Sequence, residues 1–152
     1  MNTKVIFTEI RNRYSDEYYN TDESILVNGD SLELLKKIPD HSIALILTDP
    51  PYHSTKKRNI VGDTSFSKDS EYIDWMKKYA KEWKRVLKHN GSVFCFCSSV
   101  MSAQLQVMFS EYFNVLSEII WTKPNAPGYD ETKNEKRISS AMVSSFRAYY
   151  FS

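Results

Sequence analysis

The spacing of apolar residues along the chain predicts alternating strands and helices. Four apolar runs have the length of strands, and they lie at 25–27, 43–47, 92–97 and 115–121. Between them, apolar residues recur at helical spacing, which predicts helices at 31–38, 71–88 and 103–113. The order strand, helix, strand, helix, strand, helix, strand is typical of a parallel, doubly wound α/β sheet with helices on both faces.

Local signals set the expected ends of these elements. Asp30 is placed to cap the first helix, and Glu33, three positions on, completes a capping-box pattern. Pro39-Asp40 should stop that helix, and Asn90-Gly91 should terminate the one at 71–88. Ligands of doubly wound sheets bind beyond the carboxyl ends of the strands. Two polar signals fall there, Gly29-Asp30 and the loop from Asp49 to Tyr52.

The two ends of the chain depart from this alternation. Residues 1–23 are polar and rich in tyrosine, and they are interpreted as a peripheral arm with one candidate strand at 4–10. From Glu131 the strand-helix pattern stops. The expected organisation is therefore an arm at 1–23, an α/β unit at 24–130, and an aberrant or disordered tail at 131–152.

Composition narrows the function classes. The chain has 152 residues and a formal net charge of +1, so no global basic field indicates a nucleic-acid partner. A local patch, Lys56-Lys57-Arg58, follows the loop at 49–52 and could contact DNA phosphates, although such a run is also typical of solvated surface. No apolar run could span a membrane, and no export signal is seen, so the cytoplasm is expected. Cys95 and Cys97 are expected to be buried thiols, not metal ligands.

The loop after the second strand carries the most specific chemistry. Pro50 and Pro51 fix φ and lack an N–H, so a stiff loop presents carbonyl oxygens beside the Asp49 carboxylate and the flat ring of Tyr52. Acceptors on the hydrogens of a nucleobase amine would favour the pyramidal form that attacks a methyl sulfonium. Tyr52 could stack on a base removed from the duplex. The alternative interpretation is an ordinary turn at the exit of a strand.

The landmarks together resemble a known family. The stretches 25–32, 39–40, 43–52, 92–98 and 119–124 are similar to bacterial N(6)-adenine/N(4)-cytosine DNA methyltransferases whose catalytic motif is N-terminal and whose cofactor motif is C-terminal. The resemblance implies a Rossmann-like sheet, double-stranded DNA as substrate and S-adenosylmethionine as cofactor. It implies that Asp49, Pro50, Pro51 and Tyr52 form the catalytic loop. It also implies that Asp30, with Ser31 beside it, binds the cofactor, although Asp30 alone reads as a helix cap.

The resemblance also identifies what the chain lacks. The family's glycine-rich cofactor motif needs neighbouring glycines, and the four present, Gly29, Gly62, Gly91 and Gly128, are far apart. The expectation is therefore a truncated sheet whose central strands are missing. A non-catalytic fragment, a cytosine N(4) methyltransferase and an unrelated nucleotide-binding domain stay open as alternatives. A restriction endonuclease or a complementing methyltransferase chain is the expected protein partner, and aspartate at position 49 favours adenine as the target.

Overall fold

The computed structural model describes residues 3–14, 17–53, 66–122 and 140–147. These residues form four helices and six strands. In chain order they are α1 (Thr3–Arg11), β1 (Glu17–Asn20), β2 (Ile25–Val27), α2 (Ser31–Lys36), β3 (Ile43–Thr48), α3 (Asp69–Val86), β4 (Leu87–Ser98), α4 (Ser102–Ser110), β5 (Asn114–Thr122) and β6 (Ser140–Arg147). Within this part of the chain, no helix combines the length and the apolar character needed to cross a membrane.

The main sheet contains four strands in the order β3-β4-β6-β5. β3 and β4 pair in parallel, as the alternating pattern predicts. β6 runs antiparallel to both β4 and β5, so β5 runs in the same direction as β3 and β4. Ser140–Arg147, part of the tail expected to be aberrant or disordered, is an eight-residue strand inside the sheet and is therefore ordered. The rest of the tail lies outside the described residues.

The strand at 25–27 does not join this sheet. It forms a separate two-stranded antiparallel sheet with β1, which the sequence analysis had assigned to a peripheral arm. A short turn joins the two strands, and the Thr21 hydroxyl accepts hydrogen bonds from the amides of Glu23 and Ser24. Because closing so short a loop costs little entropy, a neighbour in sequence can pair with β2 before a distant strand does.

The predicted strand at 4–10 is wrong, because these residues form α1. Val5, Ile6, Thr8 and Ile10 of this segment are β-branched, a residue type that is common in strands. However, Ile6 and Ile10 are four residues apart and lie on one side of a helix, where both are half-buried. Glu9 and Arg13, also four apart, form an ion pair of 2.6 Å. Helical spacing therefore outweighs the strand preference of the single residues.

The end of α3 also differs from the prediction. The helix stops at Val86 and β4 begins at Leu87, so Asn90-Gly91 lies inside the strand and does not terminate the helix. The β3–β4 register jumps here, from Ile43 opposite Leu87 to Leu45 opposite Ser92. A Cβ at Gly91 would lie 3.0 Å from the Lys88 carbonyl oxygen and 3.2 Å from that of Ala44. Glycine at this position therefore permits a close approach of two backbones.

The core lies on one face of the main sheet. Tyr72, Met76, Ala80 and Trp83 of α3, with Leu105, Met108 and Phe109 of α4, pack against Val93, Cys95 and Cys97 of β4. Both cysteines are buried free thiols, as expected. On β3, Leu45 and Leu47 alternate with the half-buried Ile46 and are 55% and 67% exposed. The expected cover by helices is thus seen on one face in the described part of the chain.

Candidate active site

The loop from Asp49 to Tyr52 lies at the carboxyl end of a parallel strand. β3 ends at Thr48, which pairs with Cys95 of β4, and Asp49 follows at once. Asp49 is exposed, whereas Pro50, Pro51 and Tyr52 are half-buried. This is the edge where open α/β sheets bind ligands. The loop therefore faces the rim at which the sequence analysis expected the chemistry.

Within the loop, the side chains of Tyr52 and Asp49 interact directly. The phenol of Tyr52 donates a hydrogen bond to the Asp49 carboxylate. Burial, followed by this hydrogen bond and the negative charge of Asp49, raises the pKa of Tyr52 well above its usual value. Tyr52 therefore stays protonated and remains a donor. Because an ionised carboxylate offers about four acceptor positions, Asp49 retains room for a second donor.

The far end of the loop is anchored to α3. The hydroxyl of Tyr72 donates to the Pro51 carbonyl at 3.1 Å. Next along the chain, the buried His53 ring stacks on Tyr72, with 5.4 Å between ring centroids. Nε2 of His53 lies 3.0 Å from Oδ1 of Asp69, in the first turn of α3. Neither His53 nor Tyr72 is among the site residues expected from the sequence; the polar ring directly after the loop was the available signal.

The Cys95 thiol, on the strand beside the loop, stays neutral in this environment. Burial first, then the charges of Cys97 and Asp49, raises the pKa of Cys95 above its usual value. The thiolate is the form that acts as nucleophile and metal ligand. Cys95 therefore contributes packing and not chemistry.

Asp30 lies at the other predicted ligand-binding position and is a helix cap. Its Oδ1 accepts from the amides of Leu32 and Glu33 at 3.0 and 3.1 Å, as predicted. The Glu33 carboxylate, which the capping-box pattern would direct to the Asp30 amide, accepts instead from Lys36 Nζ at 2.6 Å. Asp30 and Ser31 are exposed and follow a strand of the two-stranded sheet. The two predicted site aspartates therefore follow strands of different sheets.

The predicted DNA-binding residues Lys56, Lys57 and Arg58 lie outside the described residues. The described chain resumes at Phe66, whose ring meets that of His53 edge-on at 6.0 Å between centroids.

Comparison with known proteins identifies relatives of one kind. The family model N6_N4_Mtase, described as DNA methylase, matches residues 43–146. Type II methyltransferase M.BamHI of Bacillus amyloliquefaciens is 39% identical over 97 residues, which are 64% of this chain and 22% of that protein. DNA adenine methyltransferase YhdJ of Escherichia coli (strain K12) is 33% identical over 104 residues, which are 68% of this chain and 35% of that protein.

Solved structures share the fold. PvuII DNA methyltransferase, named as cytosine-N4-specific, superposes with a TM-score of 0.60 at 27% identity, over 80% of this chain and 48% of that one. The M1.HpyAVI–SAM complex superposes with a TM-score of 0.55 at 19% identity, over 80% of this chain and 53% of that one. These superpositions confirm the partial Rossmann-like α/β sheet.

The extent of the matches defines what is shared. The chain spans about half the length of the solved structures and about a third or less of the two curated relatives. The family match begins at Ile43, the first residue of β3, contains the whole Asp49–Tyr52 loop, and reaches residue 146 in β6. Since it covers more than half of the 152 residues, the chain belongs to the N6_N4_Mtase family of DNA methylases.

Proposed function

We propose that this chain forms the amine-binding part of a DNA methyltransferase that methylates the exocyclic amine of adenine in double-stranded DNA, with S-adenosylmethionine as methyl donor. The observation that carries the proposal is the exposed Asp49 at the carboxyl end of β3, in a loop stiffened by two prolines and tied to α3. The relatives' names, which describe methyltransferases of type II systems and of adenine, support it.

The loop residues have complementary roles in this proposal. Asp49 and the Pro50 carbonyl accept hydrogen bonds from the two hydrogens of the target amine. Pro51 keeps the loop extended, and the Tyr52 ring stacks on the base once it has left the duplex. Binding of the amine replaces or joins the Tyr52–Asp49 hydrogen bond. Holding the amine in line with the methyl group is expected to supply roughly 7–11 kcal/mol of the barrier reduction.

The described residues fit only one end of S-adenosylmethionine. Asp30, with Ser31, could accept from the hydroxyl or amino groups of the adenosine end, since only Oδ1 of Asp30 is committed to the helix amides. No pair of neighbouring glycines exists in the sequence for the methionine end, and Gly91 is packed between strands. We therefore propose a complementing methyltransferase chain as partner and derive no step through the cofactor.

The remaining assignments concern DNA and the target base. Lys56, Lys57 and Arg58 follow the loop and are proposed to contact phosphates, which would position the duplex without reading its sequence. Aspartate at position 49 favours adenine, and YhdJ is named as an adenine methyltransferase. Cytosine is the second candidate target because PvuII methyltransferase is named as cytosine-N4-specific. A restriction endonuclease is the second proposed protein partner.

Methyl transfer to duplex oligonucleotides tests the proposal. Asp49→Ala should lower the rate by about 100-fold or more, the scale for losing one preorganised polar contact to a reacting group. Asp74→Ala, which removes an exposed carboxylate from α3, should leave the rate unchanged. Oligonucleotides that contain only adenine or only cytosine as methylatable base identify the target.

Two results would contradict the proposal. Equal rates for wild type and Asp49→Ala would remove Asp49 from its role. A wild-type chain that shows neither methyl transfer nor stoichiometric heat of binding with S-adenosylmethionine, alone or mixed with a complementing methyltransferase chain, would favour the non-catalytic alternative.

A further inference from the structure

We propose that Tyr72, together with the chain of contacts His53–Asp69–Gln104, forms a set of positioning residues that holds the Asp49–Tyr52 loop in its binding geometry. The inference deepens the proposed function and rests on it for its meaning. The contacts themselves are a property of the fold and can be tested without any activity.

The loop cannot hold itself in place. Proline has no backbone N–H, so Pro50 and Pro51 cannot donate hydrogen bonds to the rest of the protein. Within the loop only Asp49 and Tyr52 keep a backbone N–H, so its carbonyl groups need donors from elsewhere. An exposed loop end without such donors would be free to move, and a displacement of about 1 Å can cost about 100-fold in rate.

Tyr72 supplies the missing donor. Its side chain is 1% exposed, and its hydroxyl reaches the Pro51 carbonyl at 3.1 Å from the second turn of α3. The Pro51 oxygen is thereby used by the scaffold, which leaves Asp49 and Pro50 as the loop acceptors for a target amine. A phenylalanine at position 72 would fill nearly the same volume, so the hydroxyl has a function that packing alone does not require.

His53 provides a second anchor immediately after the loop. Its side chain is 4% exposed and stacks against Tyr72, and its Nε2 lies 3.0 Å from the Asp69 carboxylate. An ionised carboxylate only accepts, so the proton of this contact is on Nε2. The Gln104 amide donates to the other oxygen of Asp69 at 3.2 Å. The residue that follows Tyr52 is therefore tied to both α3 and α4.

The two anchors converge on one peptide segment. Tyr72 donates to the carbonyl of Pro51, the residue before Tyr52, and the ring of His53, the residue after Tyr52, bonds the Asp69 carboxylate of α3. The Tyr52 side chain in turn donates to Asp49. Two hydrogen bonds therefore connect the core to Asp49, the proposed amine acceptor: Tyr72 to the Pro51 carbonyl, and Tyr52 to the Asp49 carboxylate. These contacts explain how an exposed carboxylate is held at the sheet edge.

The test measures backbone order of the loop by ¹⁵N relaxation of the Tyr52 and His53 amides. We expect order parameters of about 0.85 in the wild type and below about 0.6 at Tyr52 in Tyr72→Phe. Tyr79→Phe is the matched control, because it removes a hydroxyl from the same helix two turns further on. It should leave both amides unchanged. Unchanged order at Tyr52 in Tyr72→Phe, or an equal loss in both variants, would overturn the proposal.

A second variant keeps the test open if Tyr72→Phe does not fold. Gln104→Ala alters an exposed side chain and removes the support of Asp69. It should lower the order parameter of the His53 amide, whereas Gln106→Ala, a matched amide on the same helix, should not. An unchanged His53 amide in Gln104→Ala would overturn the His53–Asp69–Gln104 part of the proposal.

Kinetics separates this inference from the proposed function. If the wild type transfers methyl groups, Tyr72→Phe should lower kcat by about 100-fold while KM for S-adenosylmethionine stays within about twofold, because loop geometry and not cofactor binding is changed. A raised KM with unchanged kcat would overturn the positioning role. If the wild type is inactive even with a complementing methyltransferase chain, the proposed function fails, and the relaxation measurements still decide whether these residues hold the loop.

Discussion

Asp30 and Asp49 each follow an apolar strand directly, yet the structure treats them differently. Asp49 follows a strand of the four-stranded sheet, and its loop is bonded to α3 through Tyr72. Asp30 follows a three-residue strand of a two-stranded sheet and bonds only the first amides of its own helix among the contacts described for it. One acid belongs to a loop supported by the core, and the other belongs to a local cap.

The difference shows that a polar residue after a strand is placed at the edge of the main sheet, where a site can form, only when the strand is paired into that sheet. An apolar run and a polar residue after it are local features, and both aspartates have them. Placement at a common sheet edge depends on which strands pair, and pairing is decided by distant residues. β3 gains its position from β4, whereas β2 finds a partner a few residues away in β1. Asp30 and Asp49 follow strands of different sheets, so contacts among the described residues do not bring the two carboxylates into one site.

Gly91→Ala is expected to have the largest effect on this contrast. A Cβ at position 91 would meet Leu87 Cδ2 at 2.8 Å and the backbone oxygens of Lys88 and Ala44 at 3.0 and 3.2 Å. Since Leu87 is fully buried, little room exists for relaxation. The substitution should lower the free energy of unfolding by about 1–3 kcal/mol, the usual cost of overpacking. Urea denaturation measures it.

Gly29→Ala is the matched control at the Asp30 end. The atoms nearest to a Cβ there belong to the Leu34 side chain and lie at 3.5 Å or more, which is an ordinary contact distance. The free energy of unfolding should change by less than about 0.5 kcal/mol, or rise slightly because the unfolded chain loses freedom. Equal losses of unfolding free energy in Gly91→Ala and Gly29→Ala would show that the two glycines are packed equally closely, and would contradict the contrast between the two regions.

These sites also show which features can be predicted from sequence. The runs that became β3, β4 and β5 were located because their apolar length is a local signal. Asn90-Gly91 predicts the end of a helix, but the same pair also occurs at irregular positions within strands. Here it lies in β4, where the register against β3 shifts and Gly91 approaches the Ala44 backbone. His53 received no role because its partners, Tyr72 and Asp69, are 19 and 16 positions away and meet it only when β3 and α3 pack.

Arg85→Ala should have the second largest effect, because Arg85 connects the two regions. From the end of α3 it donates to the carbonyl oxygens of Ile38 and Leu35 at 2.8 and 2.9 Å, and it pairs with Asp40 and Glu82. Its hydrogen bond to Glu82 first, and then that to Asp40, raises its pKa although burial opposes this. Its loss should cost about 1–2 kcal/mol, a charged hydrogen bond discounted for partial exposure.

Hydrogen exchange would locate that loss. In Arg85→Ala the amides of α2 should exchange faster, while those of α4 keep their protection. Lys81→Ala, which removes an exposed cation from the same helix, is the control and should alter neither helix. Slower or unchanged exchange in α2 would mean that the Asp30 region is held to the core by other contacts.

Asp30→Ala and Asp30→Asn distinguish the two roles considered for Asp30, helix capping and cofactor binding. Apart from the control variants, their effects on unfolding free energy are expected to be the smallest of this series. The alanine variant loses the acceptor for the Leu32 and Glu33 amides and should cost about 1 kcal/mol. Asparagine keeps an acceptor oxygen and loses only the charge, so its cost in unfolding free energy should be smaller.

If Asp30 is only a helix cap, the affinity for S-adenosylmethionine measured by calorimetry should change in parallel with stability and should be retained in Asp30→Asn. If the carboxylate also binds the cofactor, affinity should fall in Asp30→Asn although the fold is retained, while the order of the Tyr52 amide stays unchanged in both variants.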